Sequence, residues 1–209
     1  AHGGPAIFSK KHRHRLKGIE RADSVVMDFH KMMMTPALST AIIFREAKHS
    51  YRSFSQKAQY LWEEQEKKSW FNLGQRSFEC TKLMMSIKIY TLLRQYGTAL
   101  FEEYIDYTYD LAQSFAGMLK QESDLELALQ PETNVVCFRY KPGKLSSASL
   151  SKLNSLIRKK LIEDGEFYIV QTQLKEDIWL RVTLMNPFTT TVELRALLEK
   201  IKQLGRQLV

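Results

Sequence analysis

Ala22-Asp23-Ser24-Val25-Val26-Met27-Asp28-Phe29-His30-Lys31 is the stretch on which the reading of this chain turns. Val25, Val26 and Met27 form a short apolar run bounded by polar residues, which predicts a buried strand. A lysine directly after such a strand is unusual, because burial disfavours its charge. An amine in that setting suits nucleophilic attack on a carbonyl. The alternative is an ordinary surface lysine at a strand end. A second apolar run, Ser39-Thr40-Ala41-Ile42-Ile43-Phe44, follows after a short polar loop. Together the two runs predict neighbouring strands of a buried sheet. Polar residues gather at their ends, where α/β sheets place their chemistry. In the loop, Met32-Met33-Met34 reads as packing rather than a soft-metal site. Asp28 reads as a strand-end hydrogen-bond acceptor beside the lysine.

Outward from this stretch, residues 47–73 lack clean periodicity and read as a long loop with helical turns, a feature that in compact proteins is usually functional or mobile. Phe78, Lys82, Met85, Ile89, Leu92 and Tyr96 recur at three- and four-residue steps and predict a helix over 75–96, which Gly97 can end. A second helix is predicted from about Ala99 to Lys120, with Leu100, Tyr104, Leu111, Phe115 and Met118 as its buried stripe. The junction near Gly97 divides the chain into 1–97 and 98–209. Beyond it, Asn134 to Tyr140 reads as a strand and Lys141-Pro142-Gly143-Lys144 as a turn. Leu150, Leu153, Ile157 and Leu161 build a helix closed by Gly165. Phe167 to Leu174 and Ile178 to Met185 are strands about a Lys175-Glu176-Asp177 turn. Thr190 and Glu193 have capping-box spacing and open a last helix to about Leu204. The C-terminal part is therefore a small α+β unit of three or four strands.

The chain has 209 residues, a formal charge of +8, 44% apolar and 26% charged residues. That composition builds a core and excludes a disordered tail. No run approaches the ~20 apolar residues of a membrane span. Cys80 and Cys137 give neither a disulfide framework nor a zinc site. The basic run Lys10-Lys11-His12-Arg13-His14-Arg15-Leu16-Lys17 raises the possibility of a nucleic-acid-binding module. No aromatics interleave with it, so a solvated face is the plainer reading. The chain opens on Ala1-His2-Gly3-Gly4-Pro5, and no apolar segment there suggests a leader.

The stretch from Ala22 to Lys31 resembles the lysine signature of the group II pyridoxal-phosphate-dependent amino-acid decarboxylases. Three further segments agree with it, in family order. His2-Gly3-Gly4 resembles the end of the family's Asp-Ala-Ala-(His/Tyr/Trp)-Gly-Gly segment. Gly74-Gln75-Arg76 with Lys82 resembles its Gly-Arg-Arg-to-Lys helix start. Leu180-Arg181-Val182-Thr183, with Asn186-Pro187 and Thr190-Thr191, resembles its last strand and last helix.

The resemblance implies an α/β fold: the C-terminal part of a fold type I, pyridoxal-phosphate-dependent transferase-like enzyme. Residues 1–97 would be the end of the large cofactor-binding domain and 98–209 the small domain. It implies pyridoxal 5'-phosphate as cofactor, held by Lys31 as an internal aldimine, with His30 on its phosphate and His2 also at the cofactor. It implies that Tyr60 protonates the substrate carbon from a mobile loop. Arg76 could orient the substrate or that loop, and Arg181 could approach a substrate carboxylate; a structural ion pair is the alternative for each. No metal is implied. The expected reaction turns an L-amino acid into an amine and carbon dioxide. An aldehyde synthase or aminotransferase of the same fold is the nearer alternative, and Tyr60 speaks against the former. The family's ring-pairing Asp, ring-stacking His and phosphate-cradling Ser/Thr would precede Ala1, so the chain is expected to work with a missing N-terminal part. A cytoplasmic homodimer with shared sites is implied, without nucleic acid or membrane as partner. The Asp28-Phe29-His30-Lys31 wording is nearest to diaminobutyrate decarboxylases, while glutamate, cysteine sulfinate, aspartate and aromatic amino acids stay open as substrates.

Overall fold

The computed structural model describes residues 1–55, 72–79 and 83–209. Two antiparallel sheets organise them. The first is the ladder of β1 (Ser24–Asp28) and β2 (Thr40–Phe44), with Ser24 opposite Phe44 and Asp28 opposite Thr40. β-branched Val25, Val26, Ile42 and Ile43 suit a pleated surface. Within these 209 residues Val26, Ile42 and Ile43 are exposed, and burial deepens only at Met27 and Asp28. Two paired strands cover each other's edges but not each other's faces, so apolar side chains on an unpacked face stay in solvent.

The second sheet has the order β3-β4-β6-β5, from β3 (Leu125–Leu127), β4 (Val135–Tyr140), β5 (Val170–Leu174) and β6 (Asp177–Thr183). Every pairing is antiparallel. Side chains alternate across a strand. Val136, Phe138 and Tyr140 of β4 and Leu180 and Val182 of β6 therefore share one face, where they are buried. Lys175 adopts φ 56 in the turn that joins β5 to β6.

Three helices close that face. They are α3 (Ala99–Gln121), α4 (Ser147–Asp164) and α5 (Thr191–Leu208). Leu153, Ile157 and Leu161 of α4 and Leu194, Leu198, Ile201 and Leu204 of α5 recur at helical spacing and face the sheet. Gly165 ends α4 in the left-handed conformation (φ 75), where a side chain would be strained. The Thr190–Glu193 capping box forms as read: Val192 N–H donates to Thr190 Oγ1, and Thr190 N–H donates to Glu193. Gly205 lets α5 approach the buried Tyr140 ring; a Cβ there would lie 2.3 Å from Cε1.

The predicted helix over 75–96 is corrected. A 3-10 turn spans Leu73–Arg76, Ser77 is extended, and α2 runs from Met85 to Tyr96. Phe78, placed in the buried stripe by its spacing, is 81% exposed, and Lys82 lies outside the described residues. Extended backbone at Ser77 cannot carry a helical ladder through the segment. The 47–73 stretch begins with a real helix, α1 (Ala47–Ser53). In α3 the predicted Tyr104, Leu111 and Phe115 are buried, joined by Phe101, Ile105, Ala112 and Leu119, while Leu100 and Met118 are only partly so. Cys137 is partly exposed and free of any disulfide; Cys80 lies outside the described residues.

α3 serves two cores. Its C-terminal half packs Leu111, Ala112, Phe115 and Leu119 into the helix-covered sheet. Its N-terminal half packs Phe101, Tyr104, Ile105 and Tyr109 against Ala6, Met32 and Met33, which flank the lysine loop. The basic run is tied to the same helix. Lys10 pairs with Glu102 (3.3 Å) and Lys11 with Asp110 (2.5 Å), while Ser9 Oγ donates to Asp106 (2.5 Å). Glu102, Asp106 and Asp110 are four residues apart and form one stripe. The two lysines that open the run are thus partnered within the chain, which removes part of the electrostatic case for nucleic acid.

Candidate active site

Asp28 ends β1, and the chain then turns through Phe29–Ser39 before β2 begins. Backbone hydrogen bonds fix this loop. Phe29 N–H donates to Ser39 O (2.9 Å), Thr35 N–H to Phe29 O (3.0 Å) and Met34 N–H to Lys31 O (3.0 Å). Met34 sits at φ 52, a left-handed conformation uncommon outside glycine. Met32 and Met33 are buried beneath the loop against α3, as packing residues should be.

The Lys31 side chain is therefore presented from an anchored loop and is about one-third exposed. Its Nζ donates to Asp28 Oδ2. The other oxygen, Asp28 Oδ1, accepts from Thr40 Oγ1 at 2.6 Å. Asp28 faces Thr40 across the ladder, so sheet register sets this bond. The Lys31 hydrogen bond, followed by that from Thr40, holds the Asp28 carboxyl down at about 2. The carboxylate is consequently charged at any ordinary pH.

His30 is oriented by backbone. Ser39 N–H lies 3.1 Å from its Nδ1, and Ser39 O, 2.9 Å away, already accepts from Phe29. Ser39 holds the ring through Nδ1 in either tautomer, which leaves Nε2 as the ring nitrogen that can meet an anion. His2 lies close enough to Lys31, Arg181 and Asp28 to feel their charges. Burial first, then Lys31, the terminal amine and Arg181, pull its imidazole below the ordinary value, and only Asp28 opposes them. His2 Nδ1 is buried with no partner among the described residues.

Arg181 stands on β6 opposite Cys137 and Val170. It lines a cleft of about 490 Å³ with Phe167, Tyr168, Thr189 and Glu193. Its Nε is likewise buried without a partner among the described residues. Arg76 lies over the Tyr51 ring, 5.3 Å from its centroid, on a cleft that Thr40 also lines. Tyr60 is outside the described residues. Lys31 and His30 thus share one loop with His2 near enough to feel Lys31, while Arg181 reaches His2 only through its charge and lines a separate cleft.

Sequence reasoning missed two participants. Thr40 was visible only as part of an apolar run; its role needs the register that sets it opposite Asp28. Asn134 is fully buried, and its Nδ2 lies 3.1 Å from both Leu184 O and Met32 Sδ. It joins the start of β4 to the residue after Lys31, a contact that local pattern does not announce. No cluster of three or more His, Cys, Asp or Glu able to hold a metal occurs among the described residues. None of the described helices is long and apolar enough to cross a membrane.

The profile of the "pyridoxal-dependent decarboxylase conserved domain" matches residues 1–141. The aromatic-L-amino-acid decarboxylase of Bacillus atrophaeus is 29% identical over 209 residues, covering 99% of this chain and 44% of that protein. The L-aspartate decarboxylase dtxS4 of Metarhizium robertsii is 28% identical over 212 residues, covering 99% and 42%. Among solved structures, Oryza sativa TDC with PLP and tryptamine superposes with a TM-score of 0.85 at 22% identity, covering 99% of this chain and 43% of that one. The chain spans under half the length of these relatives. The shared fold is part of the fold type I α/β architecture.

Proposed function

The chain belongs to the pyridoxal-dependent decarboxylase family, and from that premise we propose that it supplies the lysine half of an active site that converts an L-amino acid to an amine and carbon dioxide. The observation that carries this reading is Lys31: a lysine on an anchored loop, its amine aimed by Asp28, with His30 and His2 beside it. The residues present fit pyridoxal phosphate. An amine can bond its aldehyde carbon, His30 Nε2 can meet its phosphate, and the orphaned His2 Nδ1 and Arg181 Nε await partners. When bound, the cofactor supplies a ring that accepts the electron pair left by the departing carboxyl group.

Each residue then has a task. Lys31 binds the aldehyde and releases it when the substrate amine takes its place. Asp28 and Thr40 orient Lys31. His30, set by Ser39, anchors the phosphate. His2, held neutral by burial and the cations around it, packs at the cofactor without adding charge. Arg181 meets the substrate from the small-domain sheet. Tyr60 delivers the proton that replaces the carboxyl group at the α-carbon. Residues 1–97 form the end of the large domain and 98–209 the small one, within a cytoplasmic homodimer that shares its sites. A preceding segment of the enzyme supplies the ring-pairing carboxylate.

The relatives are named for aromatic and for acidic substrates at nearly equal identity, so the test uses a panel. It contains glutamate, aspartate, cysteine sulfinate, diaminobutyrate and the aromatic amino acids, supplied with pyridoxal phosphate. At least one should yield carbon dioxide and amine in equal amounts, and Lys31→Ala should abolish both. Carbon dioxide release that survives Lys31→Ala would overturn the proposal.

A further inference from the structure

Among the described residues Lys31 Nζ has one hydrogen-bond partner, the Oδ2 of Asp28, and Asp28 has a second donor in Thr40 Oγ1 at 2.6 Å. The carboxylate is 10% exposed at its side chain, so water offers it little else. Thr40 is held opposite Asp28 by the ladder, and the loop bearing Lys31 is held by Ser39 and the buried methionines. Both ends of the ion pair are therefore fixed by backbone. An ammonium cannot attack a carbonyl carbon, because its nitrogen has no free electron pair.

We infer that Asp28 is a positioning residue that latches Lys31: with Thr40 it holds the amine as a paired ammonium, and the pair must open before Lys31 bonds an aldehyde. This rests on the reading of Lys31 as the cofactor-holding amine. The step balances without a further reactant. Lys31 gives one proton to solvent, its nitrogen bonds the aldehyde carbon, and the aldehyde oxygen leaves as water. Asp28 keeps its charge throughout and loses its partner when the nitrogen is taken up. The latch protects the lysine from adventitious carbonyl compounds while leaving it aimed.

The test measures capture, not turnover. The full chain is mixed with pyridoxal phosphate at neutral pH, reduced with borohydride at intervals, and the label at Lys31 is followed by peptide mass spectrometry. Lys144, in an exposed turn, is the internal control. In the wild type, added salt should speed labelling of Lys31, because salt screens the pair. Asp28→Asn should label Lys31 roughly threefold faster or more at low salt and lose the salt effect. Asp28→Glu should restore the salt effect. Thr40→Val, which keeps the charge but frees the carboxylate to move, should fall between Asp28→Asn and the wild type and serves if Asp28→Asn misfolds. Labelling of Lys31 in Asp28→Asn at the wild-type rate or slower, but still ahead of Lys144, overturns the latch and leaves Lys31 as the amine. Labelling of Lys31 no faster than Lys144 in every variant overturns the role of Lys31, and the latch with it.

Discussion

The β4–β6 pair and the β1–β2 ladder are built from the same kind of residue and end in opposite conditions. In the first, Val136, Phe138 and Leu180 are fully buried. In the second, Val26 and Ile43 are about half exposed. The difference lies in what each sheet packs against. Three helices cover one face of the four-stranded sheet, and its core closes on itself. The ladder has β-branched residues in place but draws its anchoring from the methionine loop and α3. Strand propensity made both pairs; only packing buried one of them. Lys31 thus sits on the ladder side of α3, the element that both cores share.

The largest expected effect separates the two cores. Phe115→Ala removes a fully buried ring that lies 5.3 Å from Phe138 and should cost about 3–5 kcal/mol in denaturant unfolding. Met32→Ala should cost roughly 2–5 kcal/mol by the same cavity argument, but its loss should loosen the lysine loop first. Hydrogen exchange would show this as faster exchange over residues 24–44, with 135–140 unchanged. Equal loosening of both regions would erase the distinction.

Gly205→Ala comes next. Its Cβ would meet the buried Tyr140 ring, and overpacking of this kind costs about 1–3 kcal/mol. The melting temperature should fall while the labelling of Lys31 stays as it was.

Mild acid, in the imidazole range, should act on one side only. All five histidines lie at or before residue 49, so the helix-covered sheet has none. Burial is the first cause that lowers both His2 and His12 below the ordinary 6.5. Asp106, 3.9 Å from His12 Nε2, opposes that shift, and Lys11 and Arg15 add to it. The unfolded chain therefore binds protons first as pH falls, and the stability these groups confer is full above about 6.5 and erodes below it. His12→Phe keeps a ring against Tyr109, 4.8 Å away, and should remove part of this loss. The smallest effect is Ile43→Thr: on an exposed strand position it should stay within about 0.5 kcal/mol.

Much of this was legible in sequence where the cause is local. The Thr190–Glu193 box, the Gly165 stop and the apolar stripes of α4 and α5 need only neighbours within a few residues. The signature points to Lys31, and the structure sets Asp28 and Thr40 around it. What escaped depends on distance or register. Phe78 matched a helical period by spacing alone, and the extended backbone at Ser77 broke it. Thr40 reaches Asp28 only through strand pairing, and Asn134 reaches Met32 only through the packing of two units. Exposure of Ile43 depends on what covers a sheet face, which no single strand encodes.

The central claim is that Lys31, among all the lysines of the chain, is the amine that takes up the cofactor. Borohydride reduction after saturation with pyridoxal phosphate, followed by peptide mapping of every lysine, tests it most directly. The account predicts one dominant adduct, on Lys31. A label spread evenly over the exposed lysines, or concentrated on another, would contradict it.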